Sequence, residues 1–283
     1  MADYGEVKIR TGKVDDLIAI YKDSYLKVSN EIIDATTAGK IRKAQVLAQI
    51  KQELTDLGVK VDTWIKEEIP KYYLDGTNIA QQDLKALGVD LAKTANFTVI
   101  NKAAIAALTD ETALAFAEGI TGIYRNSAML LSDALKQQLN FTIAQGKLTG
   151  DALKTITANV EQKLKENGLA ALIDKGGKQW QFDTYSEMLV RTKAVEARNQ
   201  GLTNRMLGSG YDLVQVSDHS TTCQLCGPWE GDILSLTGQT DGYDTLDDAE
   251  ASGLFHPNCQ HAINVIDPEL ADKTQAYDNP FNH

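Results

Sequence analysis

All three cysteines and three of the four histidines of this 283-residue chain fall between positions 219 and 261. The cluster reads C-x2-C-x29-H-x2-C-x-H: Cys223 and Cys226 in CQLC, then His256, Cys259 and His261 in HPNCQH. Two cysteines two residues apart can turn both sulfurs toward one point, the usual knuckle of a tetrahedral zinc, and Gly227-Pro228 supplies a tight turn after it. Thiolate and imidazole donors together select zinc over magnesium or calcium. Five candidates compete for four places: Cys223, Cys226, Cys259, and either His256 or His261. An H-P-x-C turn presents His256 beside Cys259, whereas an alternating strand puts Cys259 and His261 on one side. The set Cys223, Cys226, His256 and Cys259 is preferred, with His261 as the alternative fourth ligand. His219, just ahead of the knuckle, is expected at the surface or behind the ligands. A filled Cys3His set leaves no position open for water, so the expected zinc is structural and no residue is assigned a catalytic role.

Other chemistries of cysteine and histidine fit less well. CQLCGPW looks like a thioredoxin-type redox pair, but the strand-helix setting of that pair is missing. A zinc deaminase needs H-x-E with P-C-x-x-C, and no histidine here is followed by x-Glu. The HExxH of metalloproteases is absent. The alternative from a different class is a metal-dependent nuclease of the His-Asn-His kind, because His256, Asn258 and His261 supply those residue types. Their spacing is compressed for that, and no basic surface accompanies them.

The elements that must position this cluster are mostly helical. Leu47, Ile50, Leu54, Leu57, Val61 and Trp64 recur at alternating spacings of three and four, the seam of a coiled-coil-like hairpin. Leu17, Tyr21, Tyr25, Val28 and Ile32 give the matching stripe, so an antiparallel pair broken near residues 36–39 is expected, with Pro70 kinking or ending the second helix. Residues 111–139 form a further helical stretch with Phe116, Ile120, Ile123 and Tyr124 on one face. Thr149 is the expected cap of another helix, striped by Leu153, Ile156, Val160 and Leu164 and stopped at Asn167-Gly168. DKGGKQWQFD at 174–183 then reads as a loop.

From residue 184 the texture changes. TYSEMLVRTKAVEARNQGLTNRML is one amphipathic helix, with Tyr185, Met188, Leu189, Val195, Leu202 and Met206 inward. Short strands are expected at 211–217, 231–236 and 261–266, with a small helix between the last two, capped by Thr245 and stopped by Gly253. The predicted fold class is mainly α: an elongated helical body of helical hairpins with a small C-terminal α+β zinc-binding module. Its expected divisions are an N-terminal helical hairpin (1–76), a second helical block (77–183), the α+β zinc module (184–270) and a loose C-terminal arm (271–283).

Composition bounds the setting. With 43% hydrophobic and 24% charged residues the chain is globular rather than disordered. No apolar run approaches the roughly 18–20 residues needed to span a bilayer, and the polar MADYGEVKIR start lacks the apolar core of a secretory signal. Few cysteines, odd in number, fit a reducing compartment, so synthesis and folding in a cytoplasm are expected. The net charge of −11 is unevenly placed: residues 1–183 carry 23 positive and 24 negative charges, whereas residues 218–283 carry twelve acids against Lys273 alone. Such a segment repels phosphate backbones, which disfavours packaged or free DNA as its partner. It is a solvated acidic face or one that docks on a basic partner.

DHSTTCQLCGPWEGDILSL followed by FHPNCQH resembles the C-terminal signature of phage head morphogenesis proteins, the Mu F-like and minor capsid protein 2 families of tailed phages. Asp218, Thr222, Cys223, Cys226, Gly231, His256, Pro257, Asn258, Cys259 and His261 match that signature, and VRTKAVEARNQG is similar to the family's upstream helix through Arg191, Thr192, Arg198, Asn199 and Gly201. The resemblance covers about residues 184–266. Two departures matter: Lys193 stands where the family often has Glu, and the family alternates Cys and His at the place of His261. What the resemblance implies is a minor component of the virion at or near the portal vertex. Its partners would be the portal or major capsid protein, and its role would be head assembly or genome delivery after synthesis in the host bacterial cytoplasm. Some relatives carry a toxin or enzymatic domain beyond the zinc module; with 17 residues after HAINVI, none is expected here.

Overall fold

The computed structural model describes residues 11–37, 43–91, 97–131, 171–173, 179–220, 223–257, 259 and 261–266, with scattered positions between 142 and 162. Three long helices come first: α1 (Thr11–Thr37), α2 (Lys43–Ala86) and α3 (Phe97–Leu130). A small antiparallel pair, β1 (Ala171–Ile173) and β2 (Gln179–Gln181), leads into α4 (Phe182–Gly208). Then come β3 (Leu213–Val216), a single 3-10 turn at Gly227–Trp229, β4 (Ile233–Ser235), α5 (Leu246–Ala251) and β5 (Ile263–Val265). Strands β3 to β5 form one antiparallel sheet in the order β4-β3-β5. The chain is thus mainly helical, with a small sheet near its C-terminus. Among the described residues no helix is long and apolar enough to cross a membrane.

By packing, the chain divides into two compact units. One comprises Gly12–Ile65 and Thr112–Glu187. Its core is the seam expected from the sequence: Leu17, Val28 and Ile32 of α1 are buried with Ile50, Leu54, Leu57 and Val61 of α2. Polar contacts fix the antiparallel register. Trp64 Nε1 donates to Lys13 O (2.8 Å), Ser24 Oγ to Glu53 Oε1 (2.7 Å) and Gln49 Nε2 to Glu31 Oε1 (3.3 Å), so numbering falls on α2 as it rises on α1. Phe116 joins this core with its ring 5.9 Å from that of Tyr21.

The other unit comprises Met1–Thr11, Lys66–Glu111 and Met188–His283. Helix α2 does not stop at Pro70 but runs on to Ala86. Ile69, Tyr72 and Tyr73 beside the proline are buried, so tertiary packing offsets the one intrahelical hydrogen bond that proline removes. The α2–α4 crossing is set by two glycines. A Cβ on Gly201 would collide with the Tyr73 carbonyl oxygen, and one on Gly76 with that of Arg198. Without a Cβ at either position, the two backbones come into contact there. Thr77 Oγ1 donates to Gly201 O (3.2 Å), and Asn204 Nδ2 to Tyr73 OH (2.8 Å). The sheet lies on this helical base: Val214, Val216, Leu234, Ile263 and Val265 share a core with Ala80 and Leu84 of α2, Leu202 and Met206 of α4, and Cys226.

Two sequence expectations need correcting. Part of the segment expected to be a loop at 174–183 is strand β2, paired with β1; three-residue strands are too short to show a period. The helix expected from 111 begins at Phe97. The expected Thr149 cap, the Asn167-Gly168 stop and the C-terminal arm lie outside the described residues.

Candidate metal centre

The knuckle hangs from β3. Asp218 Oδ1 accepts the Ser220 N–H (2.8 Å), an Asx turn that directs the chain out of the strand toward the first cysteine. After Cys226 the 3-10 turn closes, with Gly227 N donating to Cys223 O (2.9 Å) and Trp229 N to Cys226 O (3.1 Å). The second half of the cluster follows α5. Thr245 caps that helix by accepting the Asp248 N–H (3.0 Å), and Gly253 leaves it at φ 115°. A side chain at Gly253 would be strained by that φ, and its Cβ would press on Leu225 of the knuckle at 3.0 Å. Cys259 N then donates to His256 O (2.8 Å), closing the turn that carries both residues back to the knuckle.

The five candidate donors meet there as two overlapping trios, Cys223–Cys226–His256 and Cys226–Cys259–His261, each with its ligand atoms within 4.8 Å of one another. His256 Nε2 lies 3.2 Å from Cys223 Sγ and 3.4 Å from Cys226 Sγ. Tetrahedral zinc, with bonds of about 2.3 Å to sulfur and about 2.0 Å to nitrogen, separates such donors by roughly 3.5 Å. The observed spacings fit that requirement. The Nδ1 of His256 faces Pro257 O at 2.9 Å; a proton held there leaves Nε2 as the free base pointing at the sulfurs. His261, buried to 3% exposure, is oriented in the opposite sense: Nε2 meets Glu230 Oε1 at 2.8 Å, and Nδ1 lies 3.2 Å from Cys259 Sγ. Both imidazoles therefore have an outer oxygen that sets their tautomer, as ligating histidines need.

The thiols differ electrically. Hydrogen bonds from the Cys226 and Leu225 backbone N–H groups, and then from the Cys226 thiol, lower Cys223 to about 7. Burial, and then the adjoining Cys223 and Cys259 sulfurs, push Cys226 up to about 12. Cys226, buried beside two other sulfurs, thus resists ionisation, which is the situation a divalent cation relieves.

The structure brings together Cys223, Cys226, His256, Cys259 and His261, all five of the residues singled out from the sequence. Asn258 lies outside the described residues. His219 is both exposed and behind a donor: its ring meets His261 edge-on at 4.9 Å, and its Nε2 lies 2.8 Å from Ser217 Oγ. Sequence reasoning missed Glu230, which also accepts the His219 N–H (3.1 Å). No local spacing links it to His261, 31 residues away, but a ligating histidine requires an outer acceptor and Glu230 is the acid nearest the knuckle in sequence. Lys193, the departure in the α4 motif, is used locally: its Nζ lies 2.7 Å from both Glu111 and Glu196. Arg198 and Asn199 of that motif are buried, and Gly201 is the crossing glycine, so its role is to hold α4 on α2.

No curated protein and no solved structure matches the chain. A family model described as Phage minor capsid protein 2 matches residues 23–279, from α1 through the Cys/His cluster. Since that match spans most of the sequence and both units of the fold, the chain belongs to the phage minor capsid protein 2 family.

Proposed function

We propose that this chain is a non-enzymatic minor component of a tailed-phage head, made in the host cytoplasm, that binds at or near the portal or inner capsid wall and assists head assembly or genome delivery. One observation carries the reading: the family match at 23–279 takes in the helices and the Cys/His cluster together. The metal-bearing segment is residues 184–270, and Cys223, Cys226, His256 and Cys259 hold a structural zinc in it, with His261 as the competing fourth ligand. Zinc would supply a cross-link between the knuckle after β3 and the turn before β5, a staple that strands of three or four residues need. The donor chemistry favours a staple over a nuclease centre. Each imidazole has one nitrogen turned to sulfur and the other to an outer oxygen, so neither has a nitrogen left to move a proton for water.

Native mass spectrometry and co-expression with the phage's portal protein test the reading. One zinc per chain, lost in Cys226→Ser, and sedimentation with the portal ring at fixed stoichiometry are expected. A metal-free chain with three free thiols ends the staple. DNA cleavage that requires His256 revives the nuclease. The fourth ligand is decided by comparing His256→Ala with His261→Ala: the variant that loses zinc names it. Glu230→Gln weakens zinc binding by about 10–100-fold only if His261 ligates.

A further inference from the structure

A cleft of about 500 Å3 opens between one face of α4 and the α5 region of the C-terminal sheet, with His256 and Cys259 forming part of one wall. Its size falls within the roughly 300–1,000 Å3 range of binding pockets. Val195, Leu246 and Leu254, all buried, are apolar parts of its lining, and Leu207, 41% exposed, adds to the apolar surface. Asp247 and Glu250 stand exposed at the α5 side, and Glu196 faces them from α4. Among the described residues no Lys or Arg lines the cleft. Glu196 is matched by Lys193 at 2.7 Å, whereas Asp247 and Glu250 have no ion-pair partner among the described residues. Although Glu250 is exposed at the rim, partial desolvation, followed by Asp247 and Glu196, holds its carboxyl above the ordinary value. The same lining contains two buried groups with no hydrogen-bond partner among the described residues, Asn199 Nδ2 and Thr192 Oγ1.

We infer that this cleft docks a cationic segment of a partner protein, seating an apolar side chain against Val195, Leu246 and Leu254 while Lys or Arg side chains meet Asp247 and Glu250. Carbonyl oxygens of such a segment would offer the acceptor that the Asn199 amide lacks, and an unmatched buried donor is costly enough to favour taking one up. Charge selects this occupant over the two others at hand. Residues 267–283 of this chain carry four acids against Lys273, and a second copy would bring another segment with twelve acids and one base. Both are repelled. The inference rests on the docking role proposed above and gives that role a surface.

The test uses the full-length zinc-loaded protein and fluorescence anisotropy with three labelled 14-residue peptides. One is an amphipathic Lys/Leu peptide, the second its Glu/Leu counterpart, and the third a Lys/Ser peptide of the same charge. The Lys/Leu peptide is expected to bind at least tenfold more tightly than either control, to weaken with salt, and to lose at least tenfold in D247K/E250K. D247N/E250Q, which removes charge without reversing it, should lie between, and zinc content and circular dichroism should be unchanged in both variants. Equal binding of the Lys/Leu and Glu/Leu peptides, or affinity unmoved by the variants, overturns the proposal. So does a variant-sensitive self-association of the protein, which would make the cleft a contact between copies. If the peptide binds as expected while the portal does not co-sediment, the portal is the wrong partner and the cleft stands. If the portal co-sediments and D247K/E250K leaves that unchanged, the docking role stands and the cleft is not its surface.

Discussion

The helical unit of Gly12–Ile65 and Thr112–Glu187 and the sheet of the other unit are stabilised by different means. The first buries long apolar side chains, among them Leu17, Ile32, Ile50, Leu57, Phe116 and Ile123, each under 3% exposed. At about 1.5–3 kcal/mol for each fully buried side chain of this kind, such a core needs no cross-link. The sheet has three strands of three or four residues, each contributing one or two buried aliphatics. To the apolar core it shares with α2 and α4 the sheet adds polar and thiol contacts: the capped α5, the hydrogen bonds gathered on Asp212, and the Cys/His cluster. The contrast teaches that the helical unit spreads its stability over many apolar contacts, whereas the sheet adds to its shared core a few polar and thiol contacts that fail one at a time.

The sharpest way to break the comparison is to remove the zinc staple proposed above. Chelation, or Cys226→Ser, should release most of the folding energy of the cluster, on the order of 10 kcal/mol of apparent zinc binding at neutral pH. Amide hydrogen exchange of Val214, Val216 and Val265 should then accelerate strongly while the α1 amides stay protected. Equal acceleration in both places would show that the units do not differ in this way. Gly201→Ala comes next, at about 4 kcal/mol or more, because the added methyl has backbone rather than a movable side chain in its path. Thermal unfolding should show that loss, and zinc should not restore it. Phe116→Ala should cost about 3–5 kcal/mol in the helical unit, by the same amount with and without chelator. A chelator-dependent cost there would tie the first core to the metal.

Much of this was legible before the structure, for identifiable reasons. The α1 and α2 stripes were visible because burial on one helix face imposes a period that sequence carries directly. The cluster was visible because cysteine and histidine are scarce here and their spacing is chemical. Thr245 and Gly253 were visible because caps and left-handed exits demand particular residues. What was not legible is what depends on pairs distant in sequence. Glu230 reaches His261, and Gly201 touches Tyr73, through contacts that no local pattern announces. Of the two outcomes expected at Pro70, a kink or an end, the end does not occur: the cost of proline in a helix is local, but the packing of Ile69 and Tyr73 that offsets it is not. Asp212 belongs to the same hidden class, since its partners lie 23 to 28 residues downstream.

Asp212 offers the finest test of how the sheet is held. Its Oδ2 accepts the Ser235 and Thr240 hydroxyls at 2.6 Å each, and its Oδ1 accepts the Thr237 hydroxyl (2.6 Å) and N–H (2.8 Å). Burial raises the pKa of this carboxyl, but the hydrogen bonds from Ser235, Thr237 and Thr240 outweigh it and leave the pKa below its ordinary 3.8. A carboxyl depressed in the folded state contributes stability above its unfolded pKa and loses it as pH falls through the folded value. Asp212→Asn keeps the shape, removes the charge and turns one acceptor into a donor facing hydroxyls. Because the site is only half-buried, the expected cost is about 1–2 kcal/mol near neutral pH. The melting-temperature gap between wild type and variant should be widest above pH 5 and close as pH drops below 3.8, since protonation then makes the wild type resemble the variant. A gap that stays constant down to pH 3 would mean that the carboxylate charge contributes nothing, and that the hydroxyls alone hold the turn after β4 against β3.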